Sequence, residues 1–132
     1  MKNLSKMTEN VFVALVSILE KAMGGFDNFL YALAIVMAVE FITGLIAAVW
    51  DKKRSGMEWM KEILKKIIIF SLVAVGNVVD IHIIRGGNII RTAVIFFYLS
   101  TEGISVLENV VRTGLPVPGK LKASLERLRE GR

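Results

Sequence analysis

Four ionisable side chains interrupt otherwise apolar stretches of this chain: Glu40, Asp80, Arg91 and Glu102. A charge held away from water is costly, so each needs a partner, a proton or a route to water. A carboxylate in such a place can pass an ion, donate a hydrogen bond once protonated, or pair with a cation on another helix. The chain has no cysteine and one histidine, His82. Disulfides, thiolate metal sites and cysteine nucleophiles are therefore excluded, and a histidine triad or histidine-based metal site has nothing to build on. Arg85-Gly86-Gly87-Asn88 reads as a turn and not as a phosphate loop. No enzyme, metal or cofactor is expected.

The elements that hold these charges follow from how polarity is distributed. Of 132 residues, 54 % are hydrophobic and the mean hydropathy is +0.57, yet 22 % are charged. The charges cluster in short segments between long apolar runs, the pattern of a membrane protein. The net charge of +5 comes from basic residues flanking those runs, so anionic lipid headgroups, and not nucleic acid, are the expected partner. The fold class is an all-α integral membrane protein of about three transmembrane helices, with an N-terminal amphipathic helix and a short amphipathic C-terminal tail.

Residues 1–28 form the N-terminal segment. Its apolar run, Val11 to Leu19, falls short of the roughly 20 residues a span needs. Thr8, Glu9 and Asn10 precede it as capping residues, and Gly24-Gly25 ends it. Lys2, Lys6 and Ala22-Met23-Gly24 also fit a cleaved leader; an amphipathic helix at the membrane surface is the preferred expectation. The membrane domain, 29–113, holds spans at about 29–50, 67–84 and 89–107. In the first, Ala34 with Ala38 and Gly44 with Ala48 either let a neighbour approach closely or reflect the ordinary frequency of small residues. Met57 to Lys66 reads as a separate amphipathic helix, with Trp50 and Trp59 at headgroup level. Gly114, Pro116 and Pro118 stop the last helix near Arg112, and 114–132 is a basic tail with Leu121, Leu125 and Leu128 on one stripe.

Three spans put the 51–66 loop and the tail on one side. That side carries twelve lysines and arginines against four opposite. The bias places the C-terminus in the cytoplasm and the N-terminus outside. Asp80 and Arg91 then lie within about 6 Å of the outer boundary, where an Asp80–Arg91 ion pair across the hairpin is the natural expectation. Glu40 sits near mid-span with no evident basic partner, and Glu102 lies at similar depth. The two suggest a polar seam, a water-filled lumen, or protonated carboxyls bonding across helices; a neutral Glu satisfied by Thr43 or Ser100 is the plainer alternative. Ser105 shares a helical face with Glu108 and Asn109, suited either to a neighbouring subunit or to capping and headgroup contact.

The stretch Phe97-Tyr98-Leu99-Ser100-Thr101-Glu102-Gly103-Ile104-Ser105-Val106-Leu107-Glu108-Asn109, followed by Gly114-Leu115-Pro116-Val117-Pro118, resembles the C-terminal signature of the bacteriophage holin family that includes the clostridial toxin-secretion holins. Upstream, Val39-Glu40-Phe41-Ile42-Thr43-Gly44 resembles that family's first-span motif, with Glu40 where Asp is more usual. Lys65-Lys66 resembles its paired lysines, and Asp80 its late acidic residue. The resemblance covers roughly 29–128. It implies a holin, which accumulates in the bacterial cytoplasmic membrane, oligomerises, and forms lesions that release an endolysin or a toxin and so lyse the host. The implied partners are further copies of the chain, the lipid bilayer, and an endolysin that need not be touched. Ser71, Asn77, Thr92, Ser100 and Ser105 would join Glu40 and Glu102 on a polar face. Two readings compete: a small ion channel or transporter subunit, and a membrane anchor for a soluble partner.

Overall fold

The computed structural model describes residues 2–51 and 55–130. Those residues form five α-helices: α1 (Lys2–Ala22), α2 (Asn28–Asp51), α3 (Gly56–Val79), α4 (Ile89–Arg112) and α5 (Gly119–Glu130). The protein is an all-α integral membrane protein. α2, α4 and the helix from Gly56 to Ile84 are each long and apolar enough to cross a membrane. Lys52, Lys53, Arg54 and Arg132, which entered the charge count, lie outside the described residues.

Several boundaries differ from the sequence expectation. α1 begins at Lys2 and not after Asn10, so Thr8, Glu9 and Asn10 do not cap it. Thr8 sits inside the helix, where its hydroxyl donates to the Leu4 carbonyl at 2.9 Å. None of α1 is buried; it projects from the bundle and touches it only near α3. Nor is Met57–Lys66 a separate helix. Ser55 accepts from the Glu58 amide and Glu58 complements the helix dipole, and from that start α3 runs unbroken into the third span. Its last turn, Asp80–Ile84, widens into a π-helix closed by Arg85 in the left-handed region (φ 57°).

The bundle packs through one face of each spanning helix. On α2 the buried positions are Leu30, Leu33, Met37, Glu40, Gly44 and Ala47, alternating by three and four. That spacing is a heptad seam, suited to a shallow crossing between helices. α2 packs most extensively on α4, while α3 closes on α4 near the hairpin turn. Leu30, Leu33, Met37, Ile69, Val73 and Ile95 form the apolar core. The closest backbone approach falls on Gly76, where an added Cβ would stand 3.2 Å from the Arg91 backbone. Of the two readings of the small residues on α2, the ordinary one fits Ala34 and Ala38 better. Ala38 is exposed, Ala34 is half-buried, and a methyl on buried Gly44 would meet only ordinary contacts.

Candidate functional site

Seven polar residues are buried in the described structure: Glu40, Asn77, Asp80, Arg91, Ser100, Glu102 and Asn109. Most of them gather in three layers along the bundle. The layer at the hairpin turn is built on Arg91, which is 2 % exposed. Its guanidinium does not meet Asp80. It donates to Asp27 (2.8 and 3.2 Å) and to the carbonyls of Met23 and Gly25. Asp80 instead accepts from the backbone amides of Ile90 (3.0 Å) and Arg91 (2.8 Å), capping α4 at its positive end. The expected Asp80–Arg91 ion pair is thus replaced by two separate bonds. The reason is geometric: α4 begins beside Asp80 with unpaired amides, and the α1–α2 connector lies across the Arg91 side chain.

That connector is shaped for the task. Gly24 takes φ +87°, and a Cβ there would fall 2.6 Å from Asn77 Oδ1 and 2.7 Å from Arg91 Nε. Only glycine fits. Asn77 donates to the Ala22 carbonyl at 3.0 Å, and Asp27 also accepts from the Leu30 amide, capping α2. The bond from Arg91 holds the Asp27 carboxyl below its ordinary pKa of 3.8, with partial burial opposing and the Leu30 amide assisting.

The middle layer joins all three spans. Lys66 Nζ lies 2.5 Å from Glu40 Oε2 and 3.3 Å from Glu102 Oε2. Glu40 therefore has a basic partner, contrary to expectation, and neither Thr43 nor Ser100 satisfies either acid. Thr43 donates to the Val39 and Glu40 carbonyls and Ser100 to the Phe97 carbonyl. Counting along the helix axes puts Glu40 about 18 Å into α2 and Lys66 about 15 Å from the opposite end, so they meet at one depth. Beside them opens a cavity of about 380 Å³ whose lining includes Glu62, Lys65, Thr101 and Ser105. Two carboxylates share one ammonium there, so the cluster is one positive charge short of balance unless a proton is bound.

The third layer lies toward the basic end. Asn109 donates to the Glu40 carbonyl and to Thr43 Oγ1, both at 3.1 Å. Arg112 binds Asp51 through Nε (2.9 Å) and Nη2 (2.5 Å), and Asn109 Oδ1 through Nη1 (3.2 Å). Ser105, Glu108 and Asn109 do not act together: Asn109 turns inward, Ser105 lines the cavity, and Glu108 is exposed beside α5. α5 is docked on α4, where Leu125 sits so close to Gly103 that an added Cβ would stand 3.1 Å from it.

The sequence reading missed Lys66, Asp27, Asp51 and Gly76. Lys66 was placed with Lys65 at the end of the amphipathic helix before the span, although the apolar period Ile63, Ile67 carries it on into the bundle. Asp27 had a local signal, as an acidic residue placed to cap α2. Asp51, paired here with Arg112, had none.

The profile of the bacteriophage holin family matches residues 17–130, which takes in all three layers except the first turns of α1. The chain belongs to this family. An uncharacterised protein of Listeria monocytogenes is 41 % identical over 99 residues, covering 75 % of this chain and 70 % of the relative. An uncharacterised 14.9 kDa protein of Clostridium perfringens is 30 % identical over 128 residues, 97 % of both chains. A protein of Bacillus phage phi105 described as a probable holin is 30 % identical over 93 residues, 69 % of this chain and 67 % of the relative. No solved structure matches. Holin-family membership and three spanning helices make this a multi-pass membrane protein with a holin-like role. Among the described residues, no group of three or more histidine, cysteine or acidic side chains is placed to hold a metal ion.

Proposed function

We propose that the protein is a holin of the bacterial cytoplasmic membrane. Copies accumulate singly, oligomerise, and open lesions through which an endolysin, or a toxin in related systems, leaves the cytoplasm and lysis follows. The observation that carries the reading, beside the family, is the Lys66–Glu40–Glu102 cluster set at mid-depth against a cavity. Within one copy Lys66 offsets only part of the acidic charge, so the bundle can insert while keeping a polar seam that further copies can engage. A buried pair of this kind contributes little net stability against an apolar replacement, which suits a role in switching or specificity better than one in stability. The direct partners are other copies and lipid; the endolysin passes without a dedicated binding site. The C-terminus faces the cytoplasm: with Lys61, Lys65 and Lys66 set within the span and not in a loop, nine basic residues still stand against four.

The test is inducible expression with a co-expressed endolysin. Growth should stop abruptly and the enzyme should reach the medium, while a Glu40→Leu protein should assemble or permeabilise less. Normal assembly and lysis by Glu40→Leu would remove the cluster from the mechanism. Selective ion conduction with the endolysin retained would indicate a small channel instead.

A further inference from the structure

The half of α3 nearest the basic end is charged on one side only. Lys61 and Glu62 stand three and four residues after Glu58, Lys65 stands four and three after them, and together they form a single stripe. Glu58, Lys61 and Lys65 are exposed, and the one ion pair within the stripe, Glu62–Lys65, spans 4.0 Å at the surface. Across the cavity stand Thr101 and Ser105 of α4, also one face of their helix.

The depth of this stripe is set by its neighbours. Ile63 shares a groove with Phe41, and the Trp59 ring meets the Phe41 ring at 5.6 Å and flanks Gly44. The stripe therefore stands level with the second half of α2. There α2 is apolar and uncovered: Ile42, Leu45, Ile46 and Val49 are all exposed. A bilayer that covers those residues also encloses the stripe. Glu58 lies about 3 Å from the start of α3 and can reach the headgroups, but Lys61, Glu62 and Lys65 stand deeper, where a charge facing hydrocarbon costs up to roughly 2.5–3.5 kcal/mol on insertion scales. Snorkelling does not remove this cost. Lys65 lies about 13 Å along the helix from Gly56, beyond the reach of its own side chain, and Glu62, at about 9 Å, carries a shorter one. Burying the stripe dry against another copy would desolvate all four charges, and in copies related by an axis along the membrane normal, like charges fall at like heights.

We propose that in the assembled protein the Glu58–Lys65 stripe of α3 and the Thr101–Ser105 face of α4 line a water-filled passage, while the Ile42–Val49 face of α2 turns to lipid. The inference rests on the pore-forming reading above and names the surface that would form the lumen wall.

Because the natural chain has no cysteine, single thiols can report on it. Full-length protein carrying Lys61→Cys, Lys65→Cys or Ser105→Cys, with Ile42→Cys and Ile46→Cys as lipid-side comparisons, is placed in dye-loaded vesicles of phosphatidylethanolamine and phosphatidylglycerol and in planar bilayers of the same lipids. Thiols ionise and react in water but not in hydrocarbon, so a charged methanethiosulfonate should modify the stripe and Ser105 at least about tenfold faster than the α2 positions. It should also change the current through open lesions at those positions alone. Dye release with equal reaction rates, or with a current that modification leaves unchanged, overturns the lumen assignment and spares pore formation. Slow reaction together with ready disulfide cross-linking at Lys61→Cys would show a dry contact between copies, which also overturns it. Failure of the cysteine-free protein to release dye overturns the pore-forming reading and the inference with it.

Discussion

The two ends of the bundle hold their charges differently. At the hairpin turn, Arg91 is enclosed by a carboxylate and two carbonyls, Asp80 is spent on two amides, and Asn77 ties the connector down. Every bond there has a fixed backbone or capping partner, so the layer is architectural. In the middle, Lys66 divides itself between two acids beside a cavity, and toward the basic end the charged stripe of α3 is separated from α4 by that cavity. Saturated networks rigidify, whereas partly satisfied ones can exchange partners at small cost. The contrast suggests a rigid cap on one side of the bilayer and an adaptable half on the other.

The largest effect should come from breaking the rigid end. Arg91→Met removes four charge-assisted bonds from a buried side chain, while half-exposed Asp27 is resolvated, and should lower bundle stability by about 3 kcal/mol, measured by unfolding in mixed micelles. Loss under about 1 kcal/mol would mean that the connector is not held by this residue.

Lys66→Met should cost less, about 1–3 kcal/mol, because it removes two bonds beside a cavity that water can enter. Adding Glu40→Leu to that variant should restore part of the loss, since it removes an acid left without its cation. A double variant weaker than Lys66→Met alone would show that Glu40 stabilises the bundle without Lys66.

Gly103→Leu tests the adaptable half from outside. It fills the seat of Leu125 and should undock α5 with a cost of about 1 kcal/mol or less to the bundle, read as faster proteolysis of the tail. Deleting Lys120 to Arg132 should then shift lysis timing in the same direction. An unaltered lysis time in both would leave the docked helix without a part in triggering.

The smallest effect concerns acid. Asp27 has a depressed pKa, so its contribution is fully present above the ordinary value of 3.8 and is lost as pH falls through its lower folded value. Its side chain is 42 % exposed, so solvent screens the bond and the loss should be slight. Asp27→Asn should abolish that acid dependence without altering behaviour at neutral pH relative to its own acidic baseline; an acid transition of the same depth in Asp27→Asn would assign it to another group.

Much of the architecture was legible because lipid demands long apolar runs, and those runs are written locally. The three spans, the Gly24-Gly25 and Gly114 breaks, and the turn at Arg85–Asn88 all came from neighbouring residues. The four charges singled out for their cost, Glu40, Asp80, Arg91 and Glu102, are among the seven polar residues buried in the described structure. In lipid they are the useful markers of an inward face, because apolar residues pack equally well toward a helix or toward acyl chains.

For that same reason the sequence alone determined the class, the spans and, through the motif from Phe97 to Pro118, the family, but not who meets whom. Arg91 and Asp27 are 64 residues apart, and Lys66 and Glu102 are 36 apart. No local period links them. Lys66 looked like one more lysine before the span, beside Lys65, and only the unbroken run of α3 carried it between two acids. Asp80 and Arg91 looked like a pair because they flank one turn. The tertiary structure separated them, since free amides at the start of α4 and a connector folded across the bundle offered each a nearer partner.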